Sequence, residues 1–339
     1  MSQAPRVSIC IPTYKGRAHL AECLASVRVQ TFPDFEVVIC DDDSGDGTLD
    51  FARQIAAGDT RFRFIANPRN FGLVGNWNHC LDQSRGEWIK FVFQDDLIES
   101  RCVERLVTAA EAHKQRFSFC RRRMIYDPDT ATELRQYLDR HQEFIARTYA
   151  PQDSYVDATA FARLTAQNPR MNLIGEPTVT LFHRSLITEL GEFTPAMIQT
   201  CDSEYWTRLG TNVGVVHVPE TLAAFRVHGS SATSRNLAEK EFTLGYLDPL
   251  VANYLYLHEP DYATLREALY RSSGRLTTWW QIACLARDVR QMALTGRDGR
   301  TFEKEWSTAA TACPRLNRLA TYGRFCRLLR VARKLTGKK

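Results

Sequence analysis

The sequence predicts an α/β fold with a mostly parallel central sheet flanked by helices, followed by a helical C-terminal extension. Three observations favour this class. Short runs rich in Val, Ile and Phe alternate with segments of helical spacing over the first 115 residues. Acidic clusters directly follow two of these runs, and the segment after residue 236 continues with helical spacing. Alternating strands and helices of this kind imply right-handed crossovers between parallel strands.

Each element of the first third follows from a local pattern. The strand at 88–93 is an apolar run interrupted only by Lys90, which is typical of a strand buried on both faces, and the helices carry apolar residues three and four positions apart. Turn residues such as those of the SGDGT segment at 44–48 separate them. The predicted strands are 7–11, 36–40, 61–65 and 88–93, and the predicted helices are 18–28, 49–57, 74–84 and 102–114.

The acidic clusters follow the second and fourth strands, at Asp41 to Asp43 and at Asp95 and Asp96. The carboxyl ends of parallel strands meet at one edge of the sheet, where α/β proteins bind ligands. Neighbouring side chains on an extended segment point in opposite directions, so one of the pair can face a metal and the other a sugar hydroxyl. The alternative to a ligand site is a structural role, in which these Asp side chains form a turn at the end of the strand and cap the following helix. A nucleotide with a divalent cation explains both clusters, whereas no GxGxxG or Walker sequence is present.

The segments VSICIPTY, LASVRVQTFPDFEVVICDDDSGDGT, NPRNFGLVGNWNHCL and GEWIKFVFQDD resemble the nucleotide-sugar half of glycosyltransferase family 2, over about residues 6 to 110. The resemblance implies a GT-A fold, which is Rossmann-like, and an inverting transferase. It further implies roles for seven residues. Pro12 and Tyr14 border the nucleotide, Asp42 accepts from the base, Asn70 and Gly72 shape the loop beside the diphosphate, Asp95 serves the ribose and Asp96 the metal.

One position departs from the family pattern. Many members have a further Asp two residues before the final pair, and this chain has Phe93 there. Metal coordination is therefore expected to depend mainly on Asp96.

The segment from 172 to 233 resembles the acceptor half of the same family. A strand is predicted at 178–182, then a helix opening with TCDSEYW, then strands at 213–218 and in the PETLAAFRVH segment that follows. The resemblance implies that Asp202 is the general base, with Glu204 as its rival, and that Arg226 and His228 lie at the diphosphate and metal. Two acids separated by two positions on a helix point apart, so only one can face the site.

Residues 116 to 171 are less informative. A strand at 117–126 carries Arg121, Arg122 and Arg123, a triplet that is expected to be a solvated face or, alternatively, to bind an anionic acceptor. The polar segment 127–150 is expected to be a loop or an acceptor-side excursion.

Composition and charge restrict the class further. The hydrophobic fraction of 44% and charged fraction of 24% are typical of a soluble protein. Ten cysteines occur without CxxC spacing, which favours reduced thiols in a cytosolic protein. The net charge of +5 comes from the tail, because no acidic residue follows Glu305.

The last segment predicts a basic amphipathic helix, with Phe325, Leu328, Leu329 and Ala332 on one side and four arginines on the other. Such a helix can lie on an anionic membrane surface, or it can cap the domain. Nucleic-acid binding is not expected, since no aromatic platforms are interleaved with the basic residues.

The sequence therefore predicts a glycosyltransferase domain at 1–235, with halves 1–115 and 116–235, and a helical region at 236–339. The expected reaction transfers a sugar from a nucleotide-diphospho sugar, expected to be a UDP-sugar, to a saccharide or lipid-linked saccharide, with Mn²⁺ or Mg²⁺ as cofactor. The expected location is the cytoplasm, with peripheral attachment to the inner face of the membrane. A catalytically silent binding protein of the same fold and a nucleotidyltransferase are the alternatives.

Overall fold

Nine strands form one mixed sheet in the computed structural model, which describes residues 4–169, 171–229, 231, 242–296 and 301–323. The order is β3-β2-β1-β4-β8-β6-β9-β5, and β7 pairs with β9 off this path. The strands are β1 Val7–Thr13, β2 Phe35–Asp41, β3 Phe62–Ala66, β4 Trp88–Phe91, β5 Leu97–Ile98, β6 Phe117–Tyr126, β7 Ser154–Val156, β8 Thr180–His183 and β9 Val215–Val227.

The first four strands of the path are parallel, as the alternation of strands and helices predicts. Every residue of β1, β2 and β4 is buried, which explains why these runs are apolar without alternation. The helices that connect and cover them are α1 Arg17–Arg28, α2 Thr48–Ile55, α3 Gly72–Gln83 and α4 Cys102–Ala112. The predicted α/β class is thus confirmed, and the parallel edge carries the acidic clusters.

The other half of the sheet is mixed. β8 lies antiparallel between β4 and β6, while β6 and β9 run parallel. The two strands predicted around Pro219 are one continuous strand, β9. Its register against β6 shifts near Arg121, and Pro219 and Glu220 are left out of the pairing. A bulge of this kind accommodates a proline, which has no N–H to donate, without ending the strand.

The polar segment 127–150 forms a 17-residue helix, α5 Thr132–Thr148. Its buried residues are only His141 and Ile145, so its hydrophobic pattern was too sparse to predict a helix. The remaining helices are α6 Ala158–Gln167, α7 Ser185–Leu190, α8 Cys201–Val213, α9 Asp248–His258, α10 Ala263–Ser273, α11 Arg275–Thr295 and α12 Glu303–Ala312.

The predicted C-terminal helices are present and share the hydrophobic core of the sheet, through residues such as Leu250, Val251 and Tyr254. The residues of the predicted basic amphipathic helix, from Arg324 onward, lie outside the described residues. In the part of the chain that the structure describes, no helix is both long and apolar enough to span a membrane. None of the nine cysteines of these ranges forms a disulfide, and all except Cys284 are buried.

Candidate active site

A cavity of about 880 Å³ opens at the carboxyl ends of β1, β2 and β4, and it extends to the end of β9 and the start of α8. Nine of the ten site residues predicted from the sequence line it; Asp96 does not. The nine are Pro12, Tyr14, Asp42, Asn70, Gly72, Asp95, Asp202, Arg226 and His228. The fold therefore gathers two segments that are more than a hundred residues apart in the chain around one space.

Asp42 organises the loop that precedes α3. Its Oδ1 accepts hydrogen bonds from Asn67 Nδ2 at 2.9 Å and from the N–H of Phe71 at 2.7 Å, and its Oδ2 accepts from the N–H of Gly72 at 2.9 Å. Asn70 Nδ2 donates to the carbonyl of Asp42 at 3.0 Å, and Gly72 has a φ of +77°, which favours glycine. Asn70 and Gly72 thus shape this loop. Oδ2 of Asp42 accepts one hydrogen bond and has a further lone pair, while the residue as a whole is 2% exposed at the cavity wall.

Gln94 holds the loop after β1, a role that the sequence analysis did not assign. Its Oε1 accepts from the N–H of Tyr14 at 2.9 Å, and its Nε2 donates to the carbonyl of Tyr14 at 3.2 Å. Gly16 lies against the same side chain, since a Cβ at this position would come within 1.9 Å of Gln94 Oε1. The amide therefore fixes Tyr14, and a side chain at position 16 would have to displace it.

Asp95 faces the cavity together with His228. Their closest atoms, Asp95 Oδ2 and His228 Nε2, are 2.9 Å apart, and the ring of His19 lies edge-on to the ring of His228 with centroids 4.9 Å apart. Arg226 Nε donates to the carbonyl of Asp95 at 3.0 Å, and its Nη2 forms an ion pair with Glu22 at 2.7 Å. The guanidinium of Arg226 thereby anchors the backbone that carries Asp95.

Asp96 points away from the cavity and is completely buried. Thr178 Oγ1 donates to its Oδ2, and the N–H of Arg226 donates to its Oδ1 at 3.1 Å. Burial, together with the neighbouring charge of Asp95, raises the pKa of Asp96 well above its usual range. This placement argues against the predicted assignment of the metal to Asp96, because both carboxylate oxygens are taken up by the protein's interior.

Asp202 lies on the cavity wall at the first turn of α8. Its Oδ1 accepts from the N–H of Ser203 at 2.6 Å, and Asn172 Nδ2 lies 3.5 Å from its Oδ2. Desolvation raises the pKa of Asp202 to about 7, and Glu176 adds to the shift. A carboxylate with a pKa near neutrality is suited to general-base catalysis at physiological pH.

Glu204, the rival of Asp202, faces the core on the other side of α8. It is 1% exposed and forms an ion pair with Arg208 at 3.0 Å. Thr194 Oγ1 donates to it at 2.7 Å, and the hydroxyl of Tyr262 donates to it as well. Its environment is therefore structural.

Three residues near Asp202, namely Arg122, Glu176 and His141, were not predicted from the sequence to lie at this site. Arg122 was expected on a solvated face, but its side chain is 4% exposed and pairs with Glu176, with Nε 2.5 Å from Oε2. Arg122 Nη2 also lies 3.2 Å from His141 Nδ1. Glu176 itself lines the cavity. No local signal links these residues, because they come from β6, α5 and the segment before β8.

The side chains at the cavity that can ligate a metal fit a cation that is bound together with a ligand. Asp95 and His228 supply one carboxylate and one imidazole, both of which are ligands of Mn²⁺, and carboxylates also suit Mg²⁺. Within the described ranges no group of three or more His, Cys, Asp or Glu side chains is arranged to hold a metal. A cation here would take its remaining ligands from water and from a diphosphate.

A cavity at the carboxyl edge of a parallel sheet, lined by carboxylates and a histidine, is typical of α/β enzymes. The family model described as "Glycosyl transferase family 2" matches residues 8–166. An uncharacterized protein of Mycobacterium tuberculosis is 30% identical over 317 residues, covering 90% of each chain. The chain belongs to glycosyltransferase family 2 and is a glycosyltransferase.

Solved structures share the fold. S. aureus TarS 1-349 in complex with UDP-GlcNAc has a TM-score of 0.61 at 17% identity, covering 95% of this chain and 88% of that one. The mannosyltransferase PcManGT from Pyrobaculum calidifontis, in complex with GDP-Man and Mn²⁺, has a TM-score of 0.55 at 17% identity, covering 100% and 89%. Both likenesses support a GT-A fold for this chain.

Proposed function

We propose that the protein transfers a sugar, with inversion at the anomeric carbon, from a nucleotide-diphospho sugar to a hydroxyl of a saccharide or lipid-linked saccharide. The observation that carries this proposal is the presence, in one cavity, of Asp202 with its raised pKa and of the separate Asp95 and His228 pair. One group suits an acceptor proton and the other suits a leaving diphosphate, which are the two requirements of a single displacement.

The donor would lie along the loops that follow β1 and β2. Asp42 has acceptor capacity for a base N–H, and Pro12 and Tyr14 border the same space. TarS is described with UDP-GlcNAc and PcManGT with GDP-Man. A UDP-sugar is the proposed donor, because a carboxylate can accept from the imide N–H of uracil.

In the proposed reaction, Asp202 accepts the proton of the acceptor hydroxyl while the hydroxyl oxygen forms a bond to the anomeric carbon. The bond from that carbon to the diphosphate oxygen breaks, and its electron pair leaves with the diphosphate. A divalent cation, Mn²⁺ or Mg²⁺, held by Asp95 and His228 would neutralise charge on the diphosphate. Arg226 keeps Asp95 in place through its backbone carbonyl.

The assignment of the cation is tested by Asp95→Asn and Asp96→Asn. UDP affinity is measured by titration with and without Mn²⁺, and the ratio of the two affinities gives the Mn²⁺ effect. This ratio should be at least ten times smaller in Asp95→Asn than in the wild type, and the melting temperature of the variant should be unchanged. Asp96→Asn should instead keep the gain, because both carboxylate oxygens of Asp96 are hydrogen-bonded inside the protein.

Asp50→Asn is the matched control, since this exposed carboxylate pairs with Arg53 on α2 and is not among the residues that line the cavity. A Mn²⁺ effect that survives in Asp95→Asn and disappears in Asp96→Asn would reverse the assignment. UDP binding by none of the proteins would reject the proposed donor. Attachment of the basic C-terminal segment to an anionic membrane, and a cytoplasmic location, stay predictions from the sequence.

A further inference from the structure

We propose that the acceptor is an uncharged saccharide, held between the carboxylate of Glu176 and two leucines of α5, Leu134 and Leu138. These three residues and Asp202 are called the acceptor subsite. All four line the cavity. The inference rests on the proposed function, because it places the hydroxyl that Asp202 would deprotonate.

Glu176 is held rigidly at this subsite. Arg122 Nη2 donates a hydrogen bond to Glu176 Oε1 at 3.1 Å, and Arg122 Nε lies 2.5 Å from Oε2 as a charge contact. The segment before Glu176 is fixed by Asn172, whose Oδ1 accepts from the N–H of Gly175 at 2.9 Å, and by Trp206 Nε1, which donates to the carbonyl of Gly175 at 3.0 Å. A carboxylate fixed in this way can accept a ligand hydroxyl without first losing conformational freedom.

Arg122 is not able to receive an anionic acceptor. Its side chain is buried, and its guanidinium already binds Glu176 and His141. Gly175 packs directly against it, since a Cβ there would lie 2.6 Å from Arg122 Nη1. The positive charge next to the acceptor subsite is thus used within the protein.

His141 adds no charge beside this pair. Its Nε2 lies 2.7 Å from the carbonyl of Asn172 and donates to it, so that Nδ1 is left to accept from Arg122 Nη2. Burial and the charge of Arg122 lower the pKa of His141, which keeps the ring neutral. With Glu176 balanced by Arg122, the ionisation of Asp202 leaves the acceptor subsite neutral or negative.

The cations of the cavity lie elsewhere. Among the described lining residues, the potentially cationic side chains come from the loop and helix after β1 and from the end of β9. Arg226 and His228 contact Asp95, and His19 contacts His228. Lys15, the other lining cation, lies by Tyr14 and Ser44, after β1 and β2. A carboxylate or phosphate on the acceptor would therefore approach Glu176 and Asp202 without an available cation beside them among the described lining residues, which is unfavourable in a partly desolvated site.

The apolar side of the subsite comes from α5. Leu134 and Leu138 are one helical turn apart and continue the face that buries His141 and Ile145. A sugar ring can place its C–H face on these leucines while its hydroxyl groups face Glu176 and Asp202. Such a combination of apolar surface and a few fixed acceptors is typical of sites for neutral polar ligands.

Saturation-transfer NMR with the full chain, UDP and Mg²⁺ tests the proposal. The probes are neutral methyl glycosides of glucose, galactose and N-acetylglucosamine, and the methyl glucuronide as the charged counterpart. At least one neutral glycoside should bind ten times more tightly than the glucuronide. Glu176→Gln should weaken binding of the neutral glycoside about tenfold and reduce the discrimination against the glucuronide. Leu138→Ala should weaken binding of the neutral glycoside and leave binding of the glucuronide unchanged.

Glu189→Gln is the control, because this carboxylate pairs with Arg116 at the surface, away from the cavity. Equal or tighter binding of the glucuronide would overturn the proposal. So would unchanged binding in both folded variants, or the absence of any neutral binder. UDP affinity, measured in the same samples, separates the proposed function from the acceptor subsite. If the wild type does not bind UDP, the proposed function itself is contradicted.

Discussion

Asp95 and Asp96 are adjacent and have opposite environments: one faces the cavity and the other is fully buried. Their alternation could be predicted, because successive side chains of an extended segment point to opposite sides. Which of the two faces the cavity could not be predicted. That depends on Thr178 and Arg226, which reach Asp96 from later parts of the chain.

Asp202 illustrates how a reactive group can lower stability. Desolvation raises its pKa from 3.8 to about 7, so the folded protein binds the proton more tightly than the unfolded chain does. The stability that depends on this group is fully present below pH 3.8 and declines as the pH rises to about 7. The transfer rate should change in the opposite sense, rising with pH to a plateau with a midpoint near 7.

Asp202→Asn should therefore remove transfer and stabilise the fold. At pH 8 we expect a gain in unfolding free energy on the order of 2 kcal/mol, which narrows as the pH falls to 5, because asparagine does not ionise. Nucleotide affinity should stay within twofold of the wild type. Denaturant unfolding at the two pH values and turnover at pH 8 check this expectation. Retained turnover would exclude Asp202 as the base.

At the scale of elements, helix α8 separates two acids by function. Asp202 faces the cavity, whereas Glu204 binds Arg208 on the same helix and Tyr262 just before α10. The sequence predicted that the two would point apart, and tertiary contacts decide which one is structural. Glu204 thereby joins α8 to the C-terminal helices.

Glu204→Ala should lower the unfolding free energy by about 3 kcal/mol, because it leaves the buried guanidinium of Arg208 without its ion pair. Glu267→Ala removes an exposed pair with Arg271 at the same i,i+4 spacing and should cost less than about 0.5 kcal/mol. Denaturant titration compares the two variants. If both variants lose the same free energy of unfolding, the buried contacts of Glu204 contribute no more to stability than the exposed pair does.

Elements with a strong local pattern were predicted within a few residues, and those without one were not. Apart from the two-residue strand β5, which was not predicted, the strands and helices of residues 7–112 lie within a few residues of their predicted bounds. Helix α5 is polar over most of its surface, and its place is set by His141 and Ile145, which are buried only after folding. The single strand β9 depends on a bulge against β6 that no local signal at Pro219 reveals.

For the whole molecule, the donor side of the cavity was more predictable than the acceptor side. Donor residues follow strands whose carboxyl ends share one edge, so the order of strands and helices already places them together. Arg122 and Glu176 are 54 positions apart in the sequence and meet only because β6 lies beside the segment leading to β8. Their pairing required the three-dimensional structure.

The central claim is that a base and a leaving-group site face one cavity and act in a single displacement. The anomeric configuration of the product tests it most directly. With an α-linked UDP-sugar and an accepted saccharide, proton NMR of the first product formed should show a β-linkage. A product that keeps the α configuration would require two displacements and a nucleophile in the protein, and it would contradict the account.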